Sequence, residues 1–394
     1  MKFNYRTIQI SMKKYINILI IYFILSHCIG CNKDKISDLK KDFPTMELIT
    51  AIDSIDLESK GLLLPFNVRS FDSCFVFSNI RTKNNVTILN RYNSEVKDLL
   101  YSGEGPNEIL QYIPIQNNQN EFLFADRVRG KVFKLNLSDY THSLLFEFPD
   151  TINRFFSLAT IDTTTMIGTG LFDKGRFLFV NKKDDTYKYM CTYPENHEIS
   201  SLSDYQKSAL FAGTLIAVSP SADRFVAAYK GLIDFYQLER KGELSLIKQK
   251  YYHFPLFGIP EKGPVIAHKK SETTGFLSLG YDSNMIYLLY SNSSFQEKGS
   301  ETFSSNILLT FNWNGNPIKK YVLDKHLLSI HIEKDTIWGV SSNHNKLYKY
   351  KKLYSLSGVS DLILPLKEAL ARHDHSKPKS KHQSKAMYIK TIQS

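Results

Sequence analysis

From about residue 46 onward the chain is a succession of short apolar, aromatic and β-branched runs, each cut off by Gly, Asn, Asp, Ser or Pro, with little helical periodicity between them. Such a pattern forces a fold built from many small antiparallel strands. Phe122-Leu123-Phe124-Ala125, Lys131-Val132-Phe133-Lys134-Leu135, Arg176-Phe177-Leu178-Phe179-Val180, Met285 to Tyr290 and Thr336-Ile337-Trp338-Gly339-Val340 read as strands. Asn314-Gly315 reads as a two-residue hairpin turn with positive φ angles, and Ser219 to Arg224 as a second turn.

The runs also recur. A strand that follows a polar turn and precedes a second hairpin strand begins near Cys74, Glu121, Thr165, Arg224, Asn284 and Asp335, at intervals of 47, 44, 59, 60 and 51 residues. A period of that size with about four strands per unit is the signature of β-propeller blades. Six units fit residues 46–355, an all-β, six-bladed β-propeller. The strand around Met46 to Ile55, which precedes the first unit, is expected to complete the last blade, whose own strands run from Leu327 to Tyr350, and so to close the ring.

Three segments lead to a family. The turn Ser102-Gly103-Glu104-Gly105-Pro106-Asn107-Glu108, the hairpin Phe122 to Asp126 leading to Lys131 to Leu135, and Ser219-Pro220-Ser221-Ala222-Asp223 resemble the TolB-like, NHL-like six-bladed β-propeller lipoproteins of Bacteroidota over roughly residues 45–355. The resemblance implies a six-bladed propeller, export and lipid anchoring. It brings no catalytic motif.

The N-terminus fits that implication on its own residues. Lys13-Lys14 precede the apolar run Tyr15 to Leu25, which is too short to span a bilayer and is followed by Ser26, Gly30 and Cys31, the pattern of an export signal beginning at Met12. Cys28-Ile29-Gly30-Cys31 is similar to a lipoprotein box with Cys28 where Leu is usual, which makes Cys31 the expected lipidation site and the attachment to the membrane. The expected organisation is a signal over 1–31, a tether over 32–45, the propeller over 46–355, and a short helix and disordered basic tail over 356–394. The expected location is the bacterial outer membrane, on its periplasmic or cell-surface side.

Charge excludes one class of partner. The net +11 divides into +4 from Lys2, Arg6, Lys13 and Lys14, +5 from Arg372 to Ser394, and +2 for everything between. A nearly neutral body lacks the basic face that nucleic acid requires, so no nucleic-acid partner is expected. Cys74 and Cys191, the cysteines beyond the signal, read as strand thiols. They form a disulfide only if the fold brings them together.

No His-Glu-x-x-His, phosphate loop, Gly-x-Ser-x-Gly or dinucleotide fingerprint occurs, and no catalytic residue, metal or cofactor is assigned. Gly103 and Gly105 read as a turn needing unusual backbone angles. Glu104, Glu108, Asp126, Asp173, Asp223 and Asp282 fall in or beside loops; they are ordinary turn residues or, where blade loops converge on the central channel, acids placed for proton transfer. Gly103, Glu104, Gly105, Pro106, Asp126 and Asp223 are therefore the candidate turn or channel-face residues.

His326 and His331 fall on opposite faces of a strand and cannot share a metal unless a turn intervenes, while His373, Asp374, His375 and His382 are a weak tail cluster. Tyr251-Tyr252-His253-Phe254 either lines a sugar or peptide groove or packs a blade edge. Two functions follow: a binding or scaffold module for a protein, peptide or glycan ligand, or a hydrolase or lyase using loop carboxylates or histidines around the channel.

Overall fold

The computed structural model describes residues 36–352 apart from 63–64, 80–81, 106–107, 118–120, 150–151, 153, 240–241, 261–265, 342 and 344. Cys31, Pro106, the signal, and the tail with its histidines lie outside the described residues.

Six antiparallel meanders form the body, and in each the chain enters at the innermost strand and works outward. Blade 1 comprises Pro65–Ser70, Cys74–Asn79, Asn84–Asn90 and Val96–Tyr101; blade 2 comprises Tyr112–Gln116, Phe122–Asp126, Lys131–Leu135 and His142–Glu147. Blade 3 is Phe155–Thr160, Thr165–Gly170, Phe177–Asn181 and Thr186–Met190, and blade 4 is Leu215–Val218, Arg224–Tyr229, Leu232–Leu238 and Leu244–Tyr251. Blade 5 holds Thr273–Tyr281, Met285–Ser294, Ser305–Asn312 and Pro317–Leu327; blade 6 holds Ser329–Glu333, Thr336–Ser341 and Lys346–Lys351. The second strand of every blade starts within one residue of the position expected from the repeat.

Blade packing explains why those second strands are apolar throughout. Val76, Ile88 and Phe122 bury together between blades 1 and 2, Phe225, Phe177 and Tyr236 between blades 3 and 4, and Leu289, Tyr287 and Ile337 between blades 5 and 6. Each blade twists against its neighbours, so both faces of its middle strands are buried. The inner strands of blades 2 and 3 also pair directly and in parallel, Leu158 opposite Ile115.

Closure departs from the expected single strand. Asp53–Asp56 does complete blade 6, pairing antiparallel with Lys346–Lys351 from Asp53 opposite Lys349 to Asp56 opposite Lys346. Met46–Ile49, however, adds a parallel fifth strand to blade 5, with Met46 opposite Lys320. The chain changes blades at residues 50–52, where Ala51 N–H donates to Asp324 Oδ1 (3.0 Å) and Ile52 N–H to the Lys349 carbonyl (2.8 Å). Two outer edges are thereby paired where one was expected. Earlier still, Leu39–Asp42 forms a helical turn with Asp42 bonded to Lys250 Nζ (2.7 Å) and Tyr252 OH (2.9 Å).

The Asn-Gly turn also differs. Only Gly315 takes a positive φ (76°), and the loop closes from Asn312 N–H to the Asn316 carbonyl (3.0 Å), one residue longer than expected. Trp313 sets that length: it is buried in the loop and donates through Nε1 to the Asp282 carbonyl (3.0 Å).

Candidate ligand site in the central channel

Because each blade begins at its inner strand, the six inner strands run the same way along the axis and enclose a cavity of about 660 Å³. Phe66, Ile113, Phe156, Leu277 and Leu328 supply apolar wall. Asn67, Arg69, Gln116, Ser157, Tyr281, His331 and Glu333 supply polar groups.

Several of these reach across blades. Arg69 Nη2 on blade 1 donates to Gln116 Oε1 on blade 2 (3.2 Å). Tyr281 OH, at the end of the inner strand of blade 5, donates to the Asn117 carbonyl (3.2 Å), which follows the inner strand of blade 2. Blades 2 and 5 are diametrically opposite in a ring of six, so Tyr281 lies across the channel as a crossbar. Burial pushes the Tyr281 and Tyr112 hydroxyls up to about 12, so both are neutral at ordinary pH.

Glu333, from the inner strand of blade 6, is held differently. Its Oε2 accepts from Ser70 Oγ (2.5 Å), Arg91 Nη2 (2.9 Å) and Trp338 Nε1 (2.8 Å). Burial alone would raise its pKa, but these donors and the Arg91 charge bring it below the usual range, so it is ionised and already neutralised. Arg91 in turn lies 4.1 Å from the centre of the Phe75 ring. Between the two clusters stands His331, whose pKa is pushed down to about 4, chiefly by burial and then by the Arg69 charge. It is a neutral imidazole in the channel wall.

The turn residues singled out from the sequence lie elsewhere. Glu108 Oε2 accepts the Gly105 N–H (2.8 Å), and neither Gly103 nor Gly105 has a left-handed φ. What they meet is the Glu108 side chain: a Cβ on Gly103 would sit 2.0 Å from its Oε2, so the carboxylate would have to move. This corrects the reading that unusual backbone angles demand these glycines. Glu104 sits in the same turn.

Asp126 is 0% exposed and folds its own loop, accepting from the N–H groups of Leu110 (3.0 Å), Gln111 (3.2 Å) and Val128 (3.2 Å). Asp223 accepts from the hydroxyls of Ser219 and Ser221 and from Arg224, and Asp282 from the N–H groups of Asn284 and Met285. Asp173 is exposed. Asp223 and Asp282 act within their own turns, Asp126 ties its turn to the segment leading into the inner strand of blade 2, and none of these acids lines the cavity.

Other expectations resolve in the same way. Cys74 and Cys191 are both free thiols, in blades 1 and 3, and burial raises the pKa of each. His326 and His331 are separated by a turn onto blades 5 and 6, and among the described residues no three His, Cys, Asp or Glu side chains converge to hold a metal. Tyr251 lines a second cavity of about 920 Å³, and its hydroxyl donates to Asp234 Oδ1 (2.8 Å).

The channel residues were missed because they interrupt strands instead of marking turns. A signal existed: Phe66-Asn67-Val68-Arg69 and Ile330-His331-Ile332-Glu333 each carry polar groups in the strand just before a unit's most apolar one.

Six blades of four or more strands around a polar channel define the chain as a six-bladed β-propeller. Residues 45–335 match the TolB-like 6-blade propeller-like family, and the chain belongs to it. Among solved structures it is similar to an auxiliary nutrient binding protein from Bacteroides thetaiotaomicron (8% identity, 73% of this chain and 69% of that one, TM-score 0.44). It is also similar to a chain of the mitotic checkpoint complex (11% identity, 82% and 99%, TM-score 0.45). No curated protein matches it.

Proposed function

We propose that this chain is an exported, lipid-anchored binding module of the bacterial outer membrane, and that its central channel is the site that receives a small polar ligand or the polar tip of a protein, peptide or glycan. One observation carries the channel reading: Arg69 bonds to Gln116 of the adjacent blade and Tyr281 to the main-chain carbonyl of Asn117 on the opposite one, around a central cavity of about 660 Å³ that is apolar on part of its wall and hydrogen-bonding on the rest. Anchoring is supported by the apolar run that ends in Cys28-Ile29-Gly30-Cys31. The loop acids give a hydrolase or lyase no comparable support, because Asp126, Asp223 and Asp282 are engaged by backbone N–H and hydroxyl groups outside the cavity.

Ser157 faces the cavity, so Ser157→Trp fills the lumen. Protein purified from native membranes and sprayed intact in a mass spectrometer is expected to retain a small molecule that Ser157→Trp lacks. A wild-type chain that carries nothing, and gains nothing on incubation with a native envelope extract, counts against the channel. Anchoring is tested by the mature N-terminus, which should be an acylated Cys31; an unmodified chain retaining residues 12–30 refutes it.

A further inference from the structure

Arg69 is 9% exposed and lines the channel, yet among the described residues it has no carboxylate within ion-pair distance. A guanidinium has five N–H donors. Gln116 accepts from one of the arms, and the Phe122 ring lies 5.9 Å away on another side. The two acids that line the cavity, Glu333 and Asp72, are paired with Arg91 and Lys334. Tyr112 and Tyr281, the polar groups whose fields reach Arg69, are neutral. A buried cation without a counter-charge is costly to the fold, and a chain selected only for stability replaces it.

We propose that Arg69 anchors a carboxylate, so that the ligand of the channel is a small carboxylic acid whose body lies along Phe66, Phe156 and Leu277. This rests on the channel being the ligand site. The planar fork of a guanidinium matches a carboxylate in two parallel hydrogen bonds. One anchoring cation fits a singly charged carboxylate better than a phosphate dianion, since Lys334, the other cation lining the cavity, is paired with Asp72, and Arg91 behind the wall with Glu333.

The test compares acetate with its neutral isostere acetamide, each at about 50 mM and equal ionic strength, by thermal unfolding of the whole chain in a buffer free of carboxylates. Acetate should raise the melting temperature of the wild type by about 2 °C and acetamide should not, if the dissociation constant is on the order of 10 mM. Arg69→Met should melt no lower than the wild type without ligand, and acetate should leave it unmoved.

The proposal is overturned if acetate and acetamide act alike on the wild type, a comparison that needs no variant to fold. It is overturned equally if acetate stabilises Arg69→Met as much, if that variant melts several degrees lower with no ligand, or if phosphate acts in place of acetate. Should acetate fail while Ser157→Trp still expels a retained neutral molecule, the channel stands as a binding site and only the carboxylate falls.

Discussion

Acidifying the protein from pH 7 to pH 5 should weaken it, with a share that can be isolated at His331. In the unfolded chain this imidazole takes a proton near 6.5, whereas in the channel it does so only near 4. Burial is the main cause, the Arg69 charge the next, and Arg91 adds to them; Glu333 and a hydrogen bond to the Ser70 backbone pull the other way without prevailing. Below pH 6.5 the unfolded state therefore holds a proton that the native state refuses, and stability falls as pH falls. The loss stops near pH 4, where the native imidazole is protonated too. The full displacement is worth about 3 kcal/mol, of which about 2 kcal/mol is lost between pH 7 and pH 5.

Urea unfolding of the wild type and of His331→Gln at pH 7, 6 and 5 measures this. Glutamine retains a donor for the Ser70 backbone and cannot titrate. His142 and His253, also held below their ordinary values by burial, and the carboxylates of Glu333 and Glu272 lose stability in the same direction, but they do so in both proteins. The difference between the two curves isolates His331. It should narrow by about 2 kcal/mol from pH 7 to pH 5. Curves that stay parallel would refute burial and the neighbouring Arg69 and Arg91 charges as the cause of the shift.

Three further perturbations probe the frame around the channel. Leu57, 0% exposed beside the closing strand Asp53–Asp56, packs between blades 6 and 1; Leu57→Ala should cost 2–5 kcal/mol in urea unfolding, and a loss under about 1 kcal/mol would mean that closure contributes little. Arg176 and Asp234, 2% and 0% exposed, pair at 2.5 Å; Arg176→Met should cost about 3–5 kcal/mol and the double variant Arg176→Met/Asp234→Asn much less, whereas additive losses in a double-mutant cycle would deny the coupling. Glu272, 4% exposed, holds Lys230 (2.9 Å), His268 (3.0 Å) and the Leu256 N–H (3.0 Å), so Glu272→Gln should cost about 1–3 kcal/mol and speed amide exchange at Leu256, which unchanged exchange there would contradict.

How far the fold could be read from residues alone depended on which strand was being read. Second strands such as Phe75-Val76-Phe77, Phe122 to Ala125 and Phe225 to Ala228 are buried on both faces, bounded by turns and apolar without interruption, and they gave the repeat to within a residue. The inner strands were harder. Tyr112-Ile113-Pro114-Ile115-Gln116 contains a proline that normally demotes a strand, tolerated here because that strand pairs with its neighbour in blade 3 only at Ile115 and Gln116. No local signal divides Met46 to Ile55 between two blades, since the division is decided by edges nearly 300 residues away. At the Gly103 turn, the approach of the Glu108 carboxylate to the backbone is a side-chain contact that spacing does not reveal.

These misses share a physical origin. Stability writes apolar runs, and such runs are legible; a binding site breaks them, and its breaks resemble noise until the strands are set around one axis. Asn67 and Arg69 look like interruptions in a weak strand until blade 1 carries them into the same space as Gln116, Tyr281 and His331. Closing the ring required only an apolar or small residue at position 69. The guanidinium there is buried with no acid within ion-pair distance among the described residues, which is why the proposed ligand of this propeller is read from its least regular strands.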